Sequence, residues 1–491
     1  MPVLKYFCLN SSIFDLGIFI NHSFTIFSHQ EFYRSFLGHS HLLSFLYSLL
    51  FHLFFKSPYV LLLSQSLAIL SSLLFIYTLS EQYKKLHTTV FLLCYAVWYN
   101  ALFDFHYDHL AIPLTFCFYW LVHKEQYNKA LLCASIIPFI KEPFGLVAAF
   151  MGIYLALKGK KYLPGLFLFV YGLAYFYVST RYVIPYFSPG YSAGETLSTH
   201  FLGGGFIDSA LYPFVHFFDF VKDIFGTTKW LYLAILFASF GGIVFLFSPL
   251  ELIPAIPVLG ISLLSTLDNY YGYANHYTAG LVAPFMVAFI YGLPKFFLWC
   301  DYTGKRMPCL AWLKNRRHVL VMIFIPIVLS HILFSPSPFS RFFWFHKVPA
   351  YDISAYIPSE RTQNIKNALK KYIPKDPEIS VSSQNTLNWG YLAKRRYYFS
   401  YPMGVTEPVK MPWIDSDSIF EILHSLIIND KSIIKTKHIF ADYVVVDFQR
   451  PLYLIDKQAT REEFKSYFQE TLKYYKIIYN HDGFYIMQRK K

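Results

Sequence analysis

Long apolar runs, several of them followed by a cluster of lysine or arginine, limit what this chain can fold into more than any other feature. The clearest is SPYVLLLSQSLAILSSLLFIYTLSEQYKK, which holds no charged side chain from Pro58 to Leu79 and ends on Lys84 and Lys85. A helix needs about 20 such residues to cross the hydrocarbon of a bilayer. Further spans are expected at roughly 88–103, 109–123, 129–140, 143–157, 162–185, 230–247, 251–267, 277–298 and 319–334, after a first at 59–80. The segment HLLSFLYSLLFHLFF (41–55) is apolar but short and stops at KSP, so it is expected to lie along the membrane surface.

Composition agrees with a membrane protein. Of 491 residues, 55% are hydrophobic and only 15% charged, too few to clothe a soluble protein of this size. The net charge of +13 does not point to nucleic acid, because the cations sit in short clusters between apolar runs and no basic-aromatic groove interleaves them. Such clusters mark cytoplasmic loops: Lys84-Lys85, Lys124 and Lys129, Lys158 with Lys160-Lys161, and Lys305 to Arg317. They alternate consistently, which puts Asp15, the FDFHYDHL turn, Lys141-Glu142, residues 186–229, DNYYGYANHY and everything after Ser335 on the outer face. The six cysteines have neither zinc-ligand nor disulfide-framework spacing.

MPVLKYFCLNSSIFDLGIF reads neither as a signal peptide nor as a full span ahead of Asp15. With about ten spans and an outer C-terminal part, either the chain begins at the outer face or a first helix precedes it. From about Ser335 the composition becomes that of a soluble protein. PEISVSS and DYVVVDF read as buried strands, 359–372 and 460–475 as helices with Ser or Thr caps, and YKIIYNHDGFYIMQR as a hairpin. The expected fold is an α-helical polytopic membrane protein of about ten spans with outer surface helices (1–334), carrying a small C-terminal α/β extracytoplasmic domain (335–491).

Ionisable residues at the ends of spans are costly unless they face a cavity or each other. FDLGIF carries Asp15, equally readable as a helix N-cap. LGHSH carries His39 and His41, whose spacing does not put them on one helix face. FDFHYDH carries Asp104, His106 and Asp108; on an extended turn they alternate to one side, and on a helix the two acids align. That trio is a candidate metal site for a divalent cation such as Mg2+ or Mn2+, and a solvated polar turn is the plainer reading. IKEPFG carries Lys141 and Glu142, able to pair with each other or, through Lys141, to bind a phosphate. YANHYTAG adds His276 and Tyr277.

The ordered set FDLGIF, LGHSH, SPYVLLLSQSLAIL, FDFH, IKEPFG and NHYTAG resembles a membrane family known as domain of unknown function 2079, over roughly residues 10–295 and more weakly around DYVVVDF. That family is similar to the GT-C glycosyltransferases, multi-span enzymes that use polyprenyl-phosphate-linked sugars at the outer membrane face. The resemblance implies an inverting glycosyltransferase in which Asp15 is catalytic and Asp104, His106 and Asp108 form the second acidic motif. It also implies a polyprenyl-phosphate sugar as donor, with the acceptor undefined and membrane lipid as the surrounding partner. His39, His41, His106, Lys141, Glu142, His276 and Tyr277 are then the substrate-binding candidates. GETLSTHFLGGGF within 186–229 reads either as a lid or as a plain linker. A transporter or flippase of lipid-linked sugars, and a non-catalytic protein of envelope assembly, are the alternative functions; the absence of an obvious internal repeat weighs against the transporter.

Overall fold

The structure is a computed structural model, and it describes residues 1–10, 15–188, 200–345, 351–415, 419–455 and 457–490. The N-terminal part is helical: α1 (Pro2–Phe7), α2 (Asp15–Ser28), α3 (Ser44–Leu53), α4 (Pro58–Leu79), α5 (Lys84–Leu93), α6 (Tyr95–Leu102), α7 (Ala111–His123), α8 (Tyr127–Ile136) and α9 (Phe144–Gly159). It continues with α10 (Tyr162–Phe187), α11 (Phe206–Val215), α12 (Phe217–Gly226), α13 (His276–Arg306) and α14 (Arg316–Phe334).

Four of these helices are long and apolar enough to cross a membrane: α4, α10, α13 and α14. The chain is thus a helix-rich, multi-pass membrane protein. The other six segments expected as spans are shorter or interrupted helices, three of them for clear local reasons. The 88–103 segment breaks at Cys94, whose extended backbone (ψ 120) separates α5 from α6. The 230–247 segment stops after a helix over Lys229–Ser239, because Gly241 and Gly242 take left-handed φ values of +73 and +78. The 251–267 segment begins as a 3-10 turn over Pro249–Ala255 before a helix over Ile256–Leu264. As expected for 41–55, α3 is a short apolar helix.

The tightest helix contact joins α9 to α10. A Cβ on Gly152 would lie 2.4 Å from the Gly165 carbonyl, and one on Gly172 would lie 2.3 Å from the Gly145 carbonyl. The two helices therefore touch backbone to backbone at two points, the arrangement that small residues permit between membrane helices. Gly152→Leu is expected to wedge them apart and cost about 1–3 kcal/mol, as overpacking does in dense cores. A lowered unfolding midpoint in detergent checks this. α9 starts directly after Lys141-Glu142, so the contact also fixes one wall of the polar cluster described below.

The C-terminal region carries small sheets, with strands β1 (Val381–Ser383), β2 (Tyr398–Ser400), β3 (Val409–Ile414), β4 (Ile434–Ile439), β5 (Tyr443–Asp447), β6 (Tyr453–Leu454), β7 (Lys457–Gln458), β8 (Tyr475–His481) and β9 (Phe484–Arg489). Five form one mixed sheet in the order β2-β1-β5-β9-β8, parallel on the β2-β1-β5 side and antiparallel on the other. The expected hairpin is β8-β9, turning at Asp482-Gly483. Helices over Glu360–Tyr372 and Arg461–Tyr474 are capped by Ser359 and by a Thr460–Glu463 capping box, as the sequence predicts.

This region is held against α1 and α2 by buried polar contacts. Asn21 donates to the carbonyls of Ala393 (3.1 Å) and Arg395 (2.6 Å). Arg34 reaches Glu31 (2.5 Å), the Asn21 side chain (2.9 Å) and the Arg396 carbonyl (2.6 Å), and Arg396 returns a bond to Glu31 (2.8 Å). A Cβ on Gly17 would fall 2.5 Å from Asn388 Oδ1, so α2 lies directly on the C-terminal region.

Residues 186–229, expected as a long outer loop, contain α11 and α12. Within GETLSTHFLGGGF, residues 194–199 lie outside the described residues.

Candidate functional site

The FDFHYDH segment leaves α6 at Leu102, runs extended through His106 (φ −143, ψ 141) and closes in a 3-10 turn over Tyr107–Leu110. Its alternation sorts the side chains. Phe105 and Tyr107 are buried against Phe19 of α2, at ring separations of 5.6 and 4.9 Å, while Asp104, His106 and Asp108 turn to polar partners. Gln65, fully buried in the middle of α4, holds the extended stretch as a neighbouring strand would. Its Nε2 donates to the Asp104 carbonyl (2.8 Å) and its Oε1 accepts from the His106 amide (3.2 Å). His109 Nδ1 bonds the His106 carbonyl, which leaves Nε2 to accept from Tyr47 OH at 2.8 Å.

Asp15 is the first residue of α2, and its Oδ2 lies 2.8 Å from His106 Nε2. The His106 ring stacks on His276, 3.6 Å between centroids and 16° from parallel. His276 Nε2 is 3.3 Å from Asp108 Oδ2 without hydrogen-bond alignment, and neither ring nitrogen of this buried histidine has a hydrogen-bond partner among the described residues. His276 and Tyr277 open α13, which Asn100 of α6 ties down through Thr278 Oγ1 (3.1 Å).

Lys141 and Glu142 stand between α8 and α9 but serve different partners. Glu142 accepts from His39 Nδ1 (2.8 Å) and from the Ser40 amide (3.0 Å). Lys141 lies over the Tyr277 ring at 5.9 Å. Burial alone would lower the Lys141 ammonium, yet Asp108, Tyr277 and Glu142 together outweigh it and hold the group above its ordinary value. It is a fixed positive charge beside Asp108. His41 donates to the Ile140 carbonyl (2.8 Å), and burial, with His39 and Lys141 nearby, drives its pKa well below the ordinary value.

Burial would raise the Glu142 carboxyl, but His39, Lys141 and the Ser40 amide bring it down to about 2. A folded-state value below the ordinary 4.5 means that the stabilisation is complete above pH 4.5 and lost as pH falls towards 2. Glu142→Gln should flatten that acid limb of the stability profile in a thermal-melt series, with little change in its slope above pH 4.5.

The two acids of the turn take different partners. Asp104 Oδ1 is 3.4 Å from Lys5 Nζ, which also donates to the Leu102 carbonyl (3.0 Å), so Asp104 anchors α1 to the end of α6. The group that could hold a metal ion is His106, Asp108 and His276, with one ligand atom from each lying within 4.8 Å of the others, so that His276 rather than Asp104 joins the other two. Two imidazoles and a carboxylate can hold a metal ion. The unpartnered nitrogens of His276 and the Asp15 carboxylate on His106 Nε2 fit that use once one of the two stacked rings turns to aim its nitrogen at a shared ion, since ligating histidines commonly bond a carboxylate through their second nitrogen.

The sequence reading missed Gln65 and Lys5. Gln65 had a signal, a lone carboxamide in an apolar run. Lys5 had none beyond a cation in a short apolar stretch.

The family model described as a predicted membrane protein, DUF2079, matches residues 5–486, which is nearly the whole chain. The chain belongs to the DUF2079 family. The match takes in both the helical part and the C-terminal sheets of this DUF2079 protein, so the polar cluster and the region packed on α2 fall within one family unit. No curated protein matches the chain.

Proposed function

We propose that this DUF2079 protein is an inverting membrane glycosyltransferase of GT-C type, taking its sugar from a polyprenyl-phosphate donor at the extracytoplasmic face. The observation that carries the reading is the Asp15–His106 contact at 2.8 Å, a carboxylate oriented by an imidazole, with the Lys141 cation acting on Asp108 two residues along the same turn. Transfer needs a base for the acceptor hydroxyl and a stabiliser for the departing phosphate. Asp15 takes the acceptor proton as the hydroxyl oxygen attacks the anomeric carbon. The bond from that carbon to the phosphate oxygen breaks, and polyprenyl phosphate leaves with its charge facing Lys141. His106 holds the Asp15 carboxylate in one orientation. Tyr277, stacked on Tyr270 at 4.7 Å, offers an aromatic wall for a sugar ring.

In this reading the positive-inside pattern makes the short helices part of about ten passes, with the C-terminal region outside as a separate unit. A divalent ion at His106, Asp108 and His276 would supply Lewis-acid stabilisation of the phosphate, and the two nitrogen donors favour Mn2+ over Mg2+. His276→Ala is expected to abolish Mn2+ binding by titration calorimetry and to remove the response of transfer to chelation and Mn2+ readdition.

The reading is tested by supplying purified protein in proteoliposomes with radiolabelled polyprenyl-phosphate sugars and with the matching nucleotide sugars. Label reaching a hydroxyl acceptor from the lipid-linked donor alone, with inverted anomeric configuration, supports it. Label crossing the bilayer still attached to its lipid would replace it with the flippase reading.

A further inference from the structure

α11 and α12 do not behave like the rest of the surface. Both are ten-residue helices, and α12 has no buried residue. Ile207, Phe214, Phe218 and Phe225 are 69%, 81%, 85% and 72% exposed. In α12 the apolar side chains fall on one face, and Asp219, Lys222 and Asp223 fall on the other. So large an aromatic face without a partner among the described residues means an interaction surface rather than a solvated loop.

Two observations favour lipid as its occupant. The face adjoins α10, a span whose apolar window is only 22% buried: Phe176, half-buried at the edge of the α9–α10 contact, meets Phe206 at 5.1 Å. The pair is also moored to the body of the protein at both ends. Leu202 donates to the Leu264 carbonyl (2.9 Å) before α11, and after α12 the buried Lys229 pairs with Asp223 and lies 5.1 Å over the Tyr271 ring. A moored amphipathic pair beside a span is placed to lie in the membrane plane.

We propose that α11 and α12 lie in the membrane–water interface with their aromatic face among the acyl chains of one leaflet. That brings the leaflet to the Phe201–Tyr270–Tyr277 row, rings 5.8 and 4.7 Å apart, which ends at the His276 side of the polar cluster. The polar face carries Asp208, Asp219 and Asp223 against Lys222, so insertion depends on apolar area and not on anionic headgroups.

The test places a nitroxide on the full-length chain, with the exposed Cys309 changed to serine, in phosphatidylcholine vesicles. Phe214→Cys and Phe218→Cys sample the aromatic face; Asp219→Cys and Lys222→Cys sample the polar one. Collision with oxygen should exceed collision with a water-soluble nickel chelate at the two phenylalanine positions, and the ratio should reverse at the other two. Adding phosphatidylglycerol or salt should leave the ratios unchanged. Nickel access at all four positions would overturn the proposal. So would exclusion of both reagents at Phe214 and Phe218, which would mean that protein, such as a second copy of the chain, covers the face.

Discussion

Replacing Asp15 by asparagine is expected to lower sugar transfer by about 100- to 10,000-fold, the usual contribution of a positioned general base. The amide is nearly isosteric and can still accept from His106 Nε2 through its oxygen, so the contact at 2.8 Å survives while the proton acceptor is lost. The loss should therefore fall on turnover at an unchanged melting temperature and with donor affinity largely kept. Single-turnover kinetics in proteoliposomes separate the two. A loss confined to donor affinity would make Asp15 a binding group and move the base elsewhere in the cluster. Gln65→Leu offers a contrast. It removes the partner of the Asp104 carbonyl and the His106 amide without touching a carboxylate, so it should lower both activity and stability.

Arg34→Met should be the most damaging substitution for stability. Arg34 and Glu31 are 3% and 4% exposed, and the guanidinium is bonded to Glu31, Asn21 and the Arg396 carbonyl at once. Removing one partner of a buried ion pair leaves the other charge uncompensated, at a cost of about 3–5 kcal/mol. Arg396 still reaches Glu31, which sets the effect nearer the lower end of that range. Asn21 also ties α2 to the Ala393 and Arg395 carbonyls, so the damage should extend to the docking of the C-terminal region and, through α2, to Asp15 at the head of that helix. A drop in unfolding midpoint, with new protease cuts between the helical part and the C-terminal region, checks this.

The long helices α4, α10 and α14 were legible because their outward sides demand unbroken apolar helix, and α13 because a helix buried in the protein is apolar all round, demands that the sequence records directly. The shorter segments were not legible in detail. At Cys94 and at Gly241-Gly242 the helix breaks inside the protein, where neighbouring elements cover the backbone, and hydropathy is blind to that difference. In the C-terminal region the caps and the β8-β9 turn were readable because they rest on local chemistry.

The polar cluster shows the same division. Asp15, His39, His41, Asp108, Lys141, Glu142 and His276 stood out as costly residues at helix ends, and the fold gathers them. Their pairings depend on tertiary packing. Neither the choice of Glu142 for His39 over Lys141, nor that of Asp104 for Lys5, follows from spacing. His276 joins Asp108 across a long stretch of chain because α13 begins beside the FDFHYDH turn.

The measurement that bears most directly on the central claim uses proteoliposomes in which the protein has one orientation, fixed by a tag on the C-terminal region. Radiolabelled polyprenyl-phosphate sugar is offered in both leaflets, and a hydroxyl acceptor on one side at a time. The account predicts that label appears on the acceptor only when it shares the side of the C-terminal region, and that Asp15→Asn removes this signal. Transfer on the opposite side, or equal transfer by the Asp15→Asn protein, would contradict it.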